Sequence, residues 1–264
     1  MKKLEDVKGW LIDLEGTLHV GGVLVPGAAE FIRKLRDGGR HFRLISNSNV
    51  RSRRQIADEL TELGISANPR EIFTPSSAVA QLIGNFSGLK CYFLLSEDVM
   101  EEFAGIEVSD TNPDYVVMGD IGPGMNYDLL NKAFKLVMGG AELIALQKNR
   151  FFRDANGLHM DAGALVAALE FAANKQAKII GKPSRQFFNL AVHDIRVEAG
   201  ERWLSADFAI VGDDVESDIK GAMDAGLLSV LVKTGKYNGS YSEHHGIVPD
   251  WAFDSIKELA ERMV

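Results

Sequence analysis

The chain has 264 residues, 46% of them hydrophobic and 25% charged, a balance that suits a globular protein of one large or two modest domains. Its net charge of -8 and pI near 5.3 exclude any general attraction to nucleic acid or to an anionic membrane surface, so positive charge for an anionic substrate has to be supplied locally. The single cysteine, Cys91, excludes an intramolecular disulfide; in the apolar run 89–95 it reads as a buried, inert thiol.

The opening stretch Met1-Lys2-Lys3-Leu4 has no apolar signal segment behind its charges. No apolar run approaches the ~18 residues of a membrane span. The expectation is a soluble, cytoplasmic protein.

The first apolar run, Trp10-Leu11-Ile12, ends at Asp13-Leu14-Glu15-Gly16-Thr17 and reads as a buried strand broken by glycine into a turn. A Gly- and Val-rich loop over 19–26 leads to a helix over 27–37 with Phe31, Ile32 and Leu35 on one face, stopped by Gly38-Gly39. A strand over 41–45 runs into Ser46-Asn47-Ser48-Asn49. A helix over 51–63, a short strand and turn over 71–75 and a helix from 76 complete a βαβαβα pattern, that of a parallel sheet covered by helices.

A second set of such units begins near Gly84, with strands at 91–95, 115–118 and 143–146, and helices at 128–139 and 164–174. A strand over 177–180 leads into Gly181-Lys182-Pro183. A helix over 187–193 follows, then a strand over 208–211 ending in Gly212-Asp213-Asp214. A helix over 217–225, a strand over 228–232 and a closing helix over 256–263 finish the chain. The fold class expected is α/β: a doubly wound parallel-sheet core over 1–79 and 178–264, interrupted by an inserted α/β domain over 80–177.

Four apolar strands are thus followed by loops carrying Asp13 and Glu15, Ser46 and Asn47, Lys182, and Asp213, Asp214 and Asp218. In one parallel sheet such loops emerge at the same edge, where ligands bind. Two carboxylates about 4 Å apart repel by roughly 4 kcal/mol at an effective dielectric near 20, so converging carboxylates need a cation or take up protons. Oxygen ligands with room for water suit Mg²⁺. Mg²⁺ beside an ammonium, a hydroxyl and an amide is the equipment of phosphoryl transfer, with a carboxylate as nucleophile.

The four segments resemble the motifs of the haloacid dehalogenase superfamily of aspartate-nucleophile phosphatases. Asp13-Leu14-Glu15-Gly16-Thr17 stands where that family has Asp-x-Asp-Gly-Thr. Leu44-Ile45-Ser46-Asn47 is similar to its second motif, Gly181-Lys182-Pro183 to its third and Gly212-Asp213-Asp214-Val215-Glu216-Ser217-Asp218 to its fourth. The insertion between the second and third motifs resembles the α/β cap of the NagD-like (class IIA) branch. Gly16-Thr17-Leu18-His19, Val25-Pro26-Gly27-Ala28, Glu71-Ile72-Phe73-Thr74 and Val232-Lys233-Thr234-Gly235-Lys236-Tyr237 are similar to the subgroup that contains haloacid dehalogenase-like hydrolase domain-containing protein 2 and phospholysine phosphohistidine inorganic pyrophosphate phosphatase.

The resemblance implies Mg²⁺-dependent hydrolysis of a small phosphomonoester through an aspartyl phosphate on Asp13. It implies Mg²⁺ held by Asp13, the main-chain carbonyl of Glu15 and Asp213, with Asp214 and Asp218 around them. Ser46, Asn47 and Lys182 would bind the phosphoryl group. Caps of this branch also take part in dimer contacts. Glu15 departs from the family's second Asp, one methylene longer in the place of the general acid and base. Two other classes remain open: a catalytically weak binding or regulatory protein on this fold, and a phosphomutase-type transferase or dehalogenase.

In the insertion, Lys148, Asn149, Arg150 and Arg153 form a basic cluster that is either a solvated face or a substrate contact, and Asp161 stands in the same position. Gly119-Asp120-Ile121-Gly122-Pro123-Gly124 reads as a turn, because Pro123 removes a backbone donor that a phosphate loop needs. His244-His245 reads as a surface doublet.

Overall fold

The computed structural model describes residues 2–154 and 157–263; the side chains of Arg153 and His244, weighed above, lie outside the described residues. Strands follow in chain order: β1 (Gly9–Asp13), β2 (His19–Val20), β3 (Val23–Leu24), β4 (His41–Ile45), β5 (Ile72–Phe73), β6 (Lys90–Leu94), β7 (Glu107–Val108), β8 (Tyr115–Met118), β9 (Glu142–Ala145), β10 (Phe151–Asp154), β11 (Gly157–Met160), β12 (Lys178–Ile179), β13 (Phe208–Gly212), β14 (Leu228–Val232) and β15 (Trp251–Phe253). They belong to two compact units, one formed by Met1–Ser46, Arg53–Phe73 and Lys182–Val264, the other by Asn47–Ser52 and Thr74–Gly181.

The first unit holds a six-stranded parallel sheet in the order β15-β14-β13-β1-β4-β5. β1 and β13 lie at its centre and are buried along their whole length. Strands covered on both faces read as unbroken apolar runs rather than alternating ones, which is why Trp10-Leu11-Ile12 and Phe208-Ala209-Ile210-Val211 stand out in the sequence. The helix Ala28–Asp37 turns Phe31, Ile32 and Leu35 inward, as their spacing predicts. Phe31 meets Trp10 edge to face, with ring centroids 6.0 Å apart, and so seats the helix on β1.

From β1 the chain steps outward through β4 to β5; on its return it enters beside β1 at β13 and steps outward the other way through β14 to β15. The strand order therefore reverses between β1 and β13. At such a switch point the loops leaving the two strands diverge and open a crevice at their carboxyl ends.

The second unit has its own five-stranded parallel sheet, ordered β12-β9-β8-β6-β7, and a separate β10–β11 hairpin. Cys91 on β6 is fully buried, as expected. The strand expected at 177–180 as part of the flanking core instead pairs with β9, through Lys178 opposite Ile144 and Ile179 opposite Ala145. The helix Pro75–Gly84 also groups with the second unit. The compact units thus divide the chain at positions other than the expected 79/80 and 177/178.

Other elements differ in extent. The segment 19–26, read as a loop, contains the β2–β3 hairpin; 149–163 contains the β10–β11 hairpin; and β15 adds an edge strand. The helix expected over 187–193 runs from Arg185 to Ala199, and the exposed His245 ends a helix, Gly239–His245. Among the described residues no helix is long and apolar enough to cross a membrane.

Candidate active site

Sheet register brings the first and fourth motifs together. Asp13 closes β1 opposite Ile45 on β4; on the other side Ile12 faces Val211, which puts Asp13 level with Gly212 and one step from Asp213. After β13 the backbone makes a wide turn over Val215–Lys220, in which Asp214 O accepts from both Asp218 N (2.9 Å) and Ile219 N (3.2 Å). Such π-type turns recur at functional sites because they re-aim a side chain. Here Asp218 comes back toward the strand ends: carboxylate oxygens of Asp13, Asp213 and Asp218 all lie within 4.8 Å of one another, and all three residues are buried.

Lys182 enters the same cluster. Its Nζ donates to Asp218 Oδ1 at 2.7 Å and to Asp13 Oδ1, and the residue is 6% exposed. The expectation that its loop leaves the same sheet as the other motifs is corrected: the preceding strand, β12, belongs to the second sheet, while Lys182 groups with the first unit. Burial works against the ammonium, but Asp13 and Asp218 more than offset it, and its pKa is raised. Burial lifts the Asp13 carboxyl above the usual range, Lys182 pulls against it and Asp213 adds to the rise. Burial pushes Asp213 up to about 6, opposed by the Lys236 main-chain hydrogen bond. Burial, with the Asp13 charge behind it, pushes Asp218 up to about 7.

Three carboxylates against one ammonium leave an excess of two negative charges when all are ionised. That excess matches one divalent cation, and the donor set is entirely hard oxygen. The residues present therefore fit Mg²⁺.

The other expected site residues separate. Ser46, half-buried, follows directly on Ile45, the partner of Asp13, and its N–H donates to Phe73 O at 3.1 Å. Asn47 groups with the second unit, where its side-chain oxygen lies against Gly181. Asp214 is a helix cap, its Oδ1 accepting from the main chain of Glu216 and Ser217, both at 3.0 Å.

Glu15 is turned onto the β2–β3 hairpin. Its Oε1 accepts from Gly21 N at 2.9 Å, and its Oε2 lies 2.9 Å from His19 Nδ1 without the alignment of a hydrogen bond. The Gly16 N–H donates to His19 O at 2.7 Å. Because the peptide unit is planar and trans, the carbonyl of Glu15 points the opposite way, away from the hairpin.

In the second unit Asp161 is a cap, accepting from Ala162 N at 2.7 Å and from Gln147 Nε2 at 2.5 Å, and Lys148 pairs with Glu170 at 2.5 Å. Arg150 is exposed. Sequence reasoning assigned no part to Thr17, Thr234 or Lys236. Thr17 Oγ1 lies 3.5 Å from Asp213 Oδ1, and the Lys236 main-chain N–H donates to Asp213 Oδ2 at 2.5 Å. A main-chain donor carries no side-chain signature, so only the run 232–237 as a whole stood out.

Two family models match the chain: "Haloacid dehalogenase-like hydrolase" over residues 10–109 and a HAD-hydrolase-like model over residues 179–259. Human haloacid dehalogenase-like hydrolase domain-containing protein 2 is 36% identical over 258 residues, covering 98% of this chain and 96% of its own. The chain belongs to the haloacid dehalogenase-like hydrolases.

Among members of this family, the rat phospholysine phosphohistidine inorganic pyrophosphate phosphatase is 32% identical over 269 residues, covering 100% of this chain and 96% of its own. Of solved structures, p-nitrophenyl phosphatase from Archaeoglobus fulgidus aligns with a TM-score of 0.87 at 28% identity, covering 97% of this chain and 99% of that one. NagD from E. coli K-12 aligns with a TM-score of 0.87 at 28% identity, covering 96% and 98%. This haloacid dehalogenase-like hydrolase is thus a phosphatase of the NagD-like branch, and its first, second and fourth motifs follow strands β1, β4 and β13 of one parallel sheet.

Proposed function

We propose that the protein hydrolyses small phosphomonoesters with Mg²⁺, through an aspartyl phosphate on Asp13. The observation that carries this reading is the convergence of Asp13, Asp213, Asp218 and Lys182 at the switch point between β1 and β13. The name p-nitrophenyl phosphatase supports a phosphomonoester as substrate, and that of the phospholysine phosphohistidine inorganic pyrophosphate phosphatase supports phosphoryl transfer to water more broadly.

Asp13, Asp213 and the main-chain carbonyl of Glu15 would hold Mg²⁺, which supplies charge neutralisation for the phosphoryl oxygens as the bonds to phosphorus change. Asp13 attacks phosphorus, the bond to the leaving oxygen breaks, and the leaving group takes a proton. A water then attacks the same phosphorus, frees inorganic phosphate and returns Asp13 as a carboxylate.

Lys182, charged throughout because of its two carboxylate partners, orients Asp13 and brings its positive charge to the phosphoryl oxygens. Ser46, directly after β4, donates to another of these oxygens. Asp218 keeps Lys182 in place, and Asp214 holds the turn that presents Asp218. Glu15 is the acid and base for the leaving group and the water, and it reaches that role only by leaving Gly21. We assign the inserted segment, 80–177, the part of the cap that selects the leaving group, and the flanking segments that of the catalytic core.

The test is phosphate release from p-nitrophenyl phosphate, phosphosugars, nucleotides, pyrophosphate and phospho-amino acids. The reading expects Mg²⁺-dependent release that is abolished by Asp13→Asn. Hydrolysis that persists with a chelator, or in Asp13→Asn, contradicts it. Retention of phosphate on a sugar product would indicate a mutase.

A further inference from the structure

The run after β14 makes three contacts with the first and fourth motifs that no function assigned above uses. β14 lies beside β13 with Leu231 opposite Gly212, so the chain leaving Val232 passes next to Asp213. The loop begins on a tie to the edge strand, Lys233 N donating to Phe253 O at 3.0 Å, and closes on itself through Tyr237 N to Thr234 O at 3.0 Å. Within that turn Thr234 Oγ1 donates to the main-chain oxygen of Gly16 at 2.5 Å. The Lys236 main-chain N–H donates to Asp213 Oδ2 at 2.5 Å.

Between these two contacts Gly235 sits against Gly16. A Cβ on Gly235 would overlap both the Asp213 carboxylate and the Gly16 α-carbon, and one on Gly16 would overlap the same carboxylate. Both residues also have positive φ, +52° and +97°. The backbones of Gly16 and Gly235 thus approach each other beside the Asp213 carboxylate.

We propose that Thr234, Gly235 and the main-chain N–H of Lys236 form a positioning clamp for the divalent cation of this site, a role that rests on the Mg²⁺ reading above. The clamp acts on the Asp213 carboxylate and on the Gly16 backbone. On one side the Lys236 N–H holds Asp213 Oδ2 and sets the rotation of that carboxylate. On the other, Gly16 is strapped at both ends, its N–H to His19 O and its carbonyl to Thr234 Oγ1. The peptide unit that carries the Glu15 carbonyl is thereby fixed, and with it the distance between that oxygen and Asp213. Groups that orient metal ligands in this way typically change metal affinity by about 10–100-fold when removed.

The exposed Lys236 side chain, 4.0 Å from Asp214 Oδ2 beside a small polar cavity lined by Asp214, Val215, Glu216 and Asn238, takes no part in the clamp.

The experiment is Mg²⁺ titration by calorimetry on the full chain, without substrate, comparing wild type with Thr234→Val, Thr234→Ser and Gly235→Ala, alongside thermal unfolding of each metal-free protein. Thr234→Val keeps the shape and removes the donor; it should weaken Mg²⁺ binding about tenfold, while Thr234→Ser binds as wild type does. Gly235→Ala should weaken it further. Metal-free Thr234→Val and Thr234→Ser should unfold within a few degrees of wild type, and Gly235→Ala, strained at positive φ, somewhat earlier but still as a folded protein. Mg²⁺ affinity unchanged in both Thr234→Val and Gly235→Ala overturns the clamp. So does loss of folded metal-free protein in both, because the loop is then a structural tie. A wild type that takes up no Mg²⁺ overturns the metal reading itself, a result separate from an unchanged variant.

Discussion

The Glu15 carboxylate accepts a hydrogen bond from the Gly21 main-chain N–H at 2.9 Å, and this contact holds it on the β2–β3 hairpin rather than in the acidic cluster. The carboxylate is therefore an anchor in this structure, and the acid–base role proposed for it requires that it leave this contact. The two roles separate by substitution. Glu15→Gln keeps an oxygen acceptor for Gly21 but carries no proton; it should lower kcat for p-nitrophenyl phosphate by about 10²-fold, the lower range of general acid–base effects. Glu15→Asp is too short to hold the hairpin and should raise turnover. Full activity in Glu15→Gln would leave Glu15 as an anchor only.

The Lys182 ammonium is the one cation that contacts the buried carboxylates Asp13 and Asp218 among the described residues. Removing one partner of a buried ionic group leaves uncompensated charge and costs about 3–5 kcal/mol. Lys182→Met should therefore lower the metal-free protein's stability to urea by that amount at pH 7, and phosphatase activity should vanish. Since the loss arises from charge, it should shrink as the pH falls and the carboxylates take up protons. A pH-independent loss would assign it to packing.

Asp213 and Asp218 have folded-state pKa values near 6 and 7, raised first of all by burial, against 3.8 for the unconstrained group. Between pH 4 and 7 the folded metal-free protein thus binds more protons than the unfolded chain. The sign follows: their contribution to stability is complete below about pH 4 and is lost as pH rises through 6 and 7. Urea midpoints of the metal-free protein should fall across that window, and Asp218→Asn should flatten the fall. Added Mg²⁺ should raise the midpoint at pH 7 and do little at pH 4. A metal-free midpoint that rises from pH 4 to 7 in wild type and Asp218→Asn alike would refute the assignment.

Burial, with a smaller push from Asp114, raises the Cys91 thiol to about 11. A neutral, enclosed thiol is a poor nucleophile. An aromatic disulfide reagent at pH 8 should leave it unmodified in the native protein and label it once urea is added. Rapid labelling without urea would show that β6 opens.

The first, second and fourth motif segments were legible because each lies at the end of a run of buried residues, where Asp13 after Ile12, Ser46 after Ile45 and the Asp213-Asp214 pair after Gly212 are conspicuous. What was not legible depended on partners far away in sequence. Nothing in Lys178-Ile179 says that it pairs with β9 rather than with the core sheet, because both are parallel sheets and both accept an apolar strand. The β2–β3 hairpin has two residues in each strand, too few for a period to register, so 19–26 reads as loop.

Asp218 and Asp214 look equivalent in Gly212-Asp213-Asp214-x₃-Asp218. The wide turn after β13 separates them, sending Asp218 into the cluster and leaving Asp214 as a cap. The Lys236 contact is made by backbone, which every residue type but proline supplies.

In the proposed reaction Asp13 carries the phosphoryl group between leaving group and water. The direct measurement is peptide mapping by mass spectrometry of wild type acid-quenched during turnover of p-nitrophenyl phosphate with Mg²⁺. The account predicts an acid-stable, hydroxylamine-labile phosphate on the peptide containing Asp13, absent when Mg²⁺ is chelated and absent in Asp13→Asn. Phosphate found on another residue, or turnover by Asp13→Asn at the wild-type rate, would contradict it.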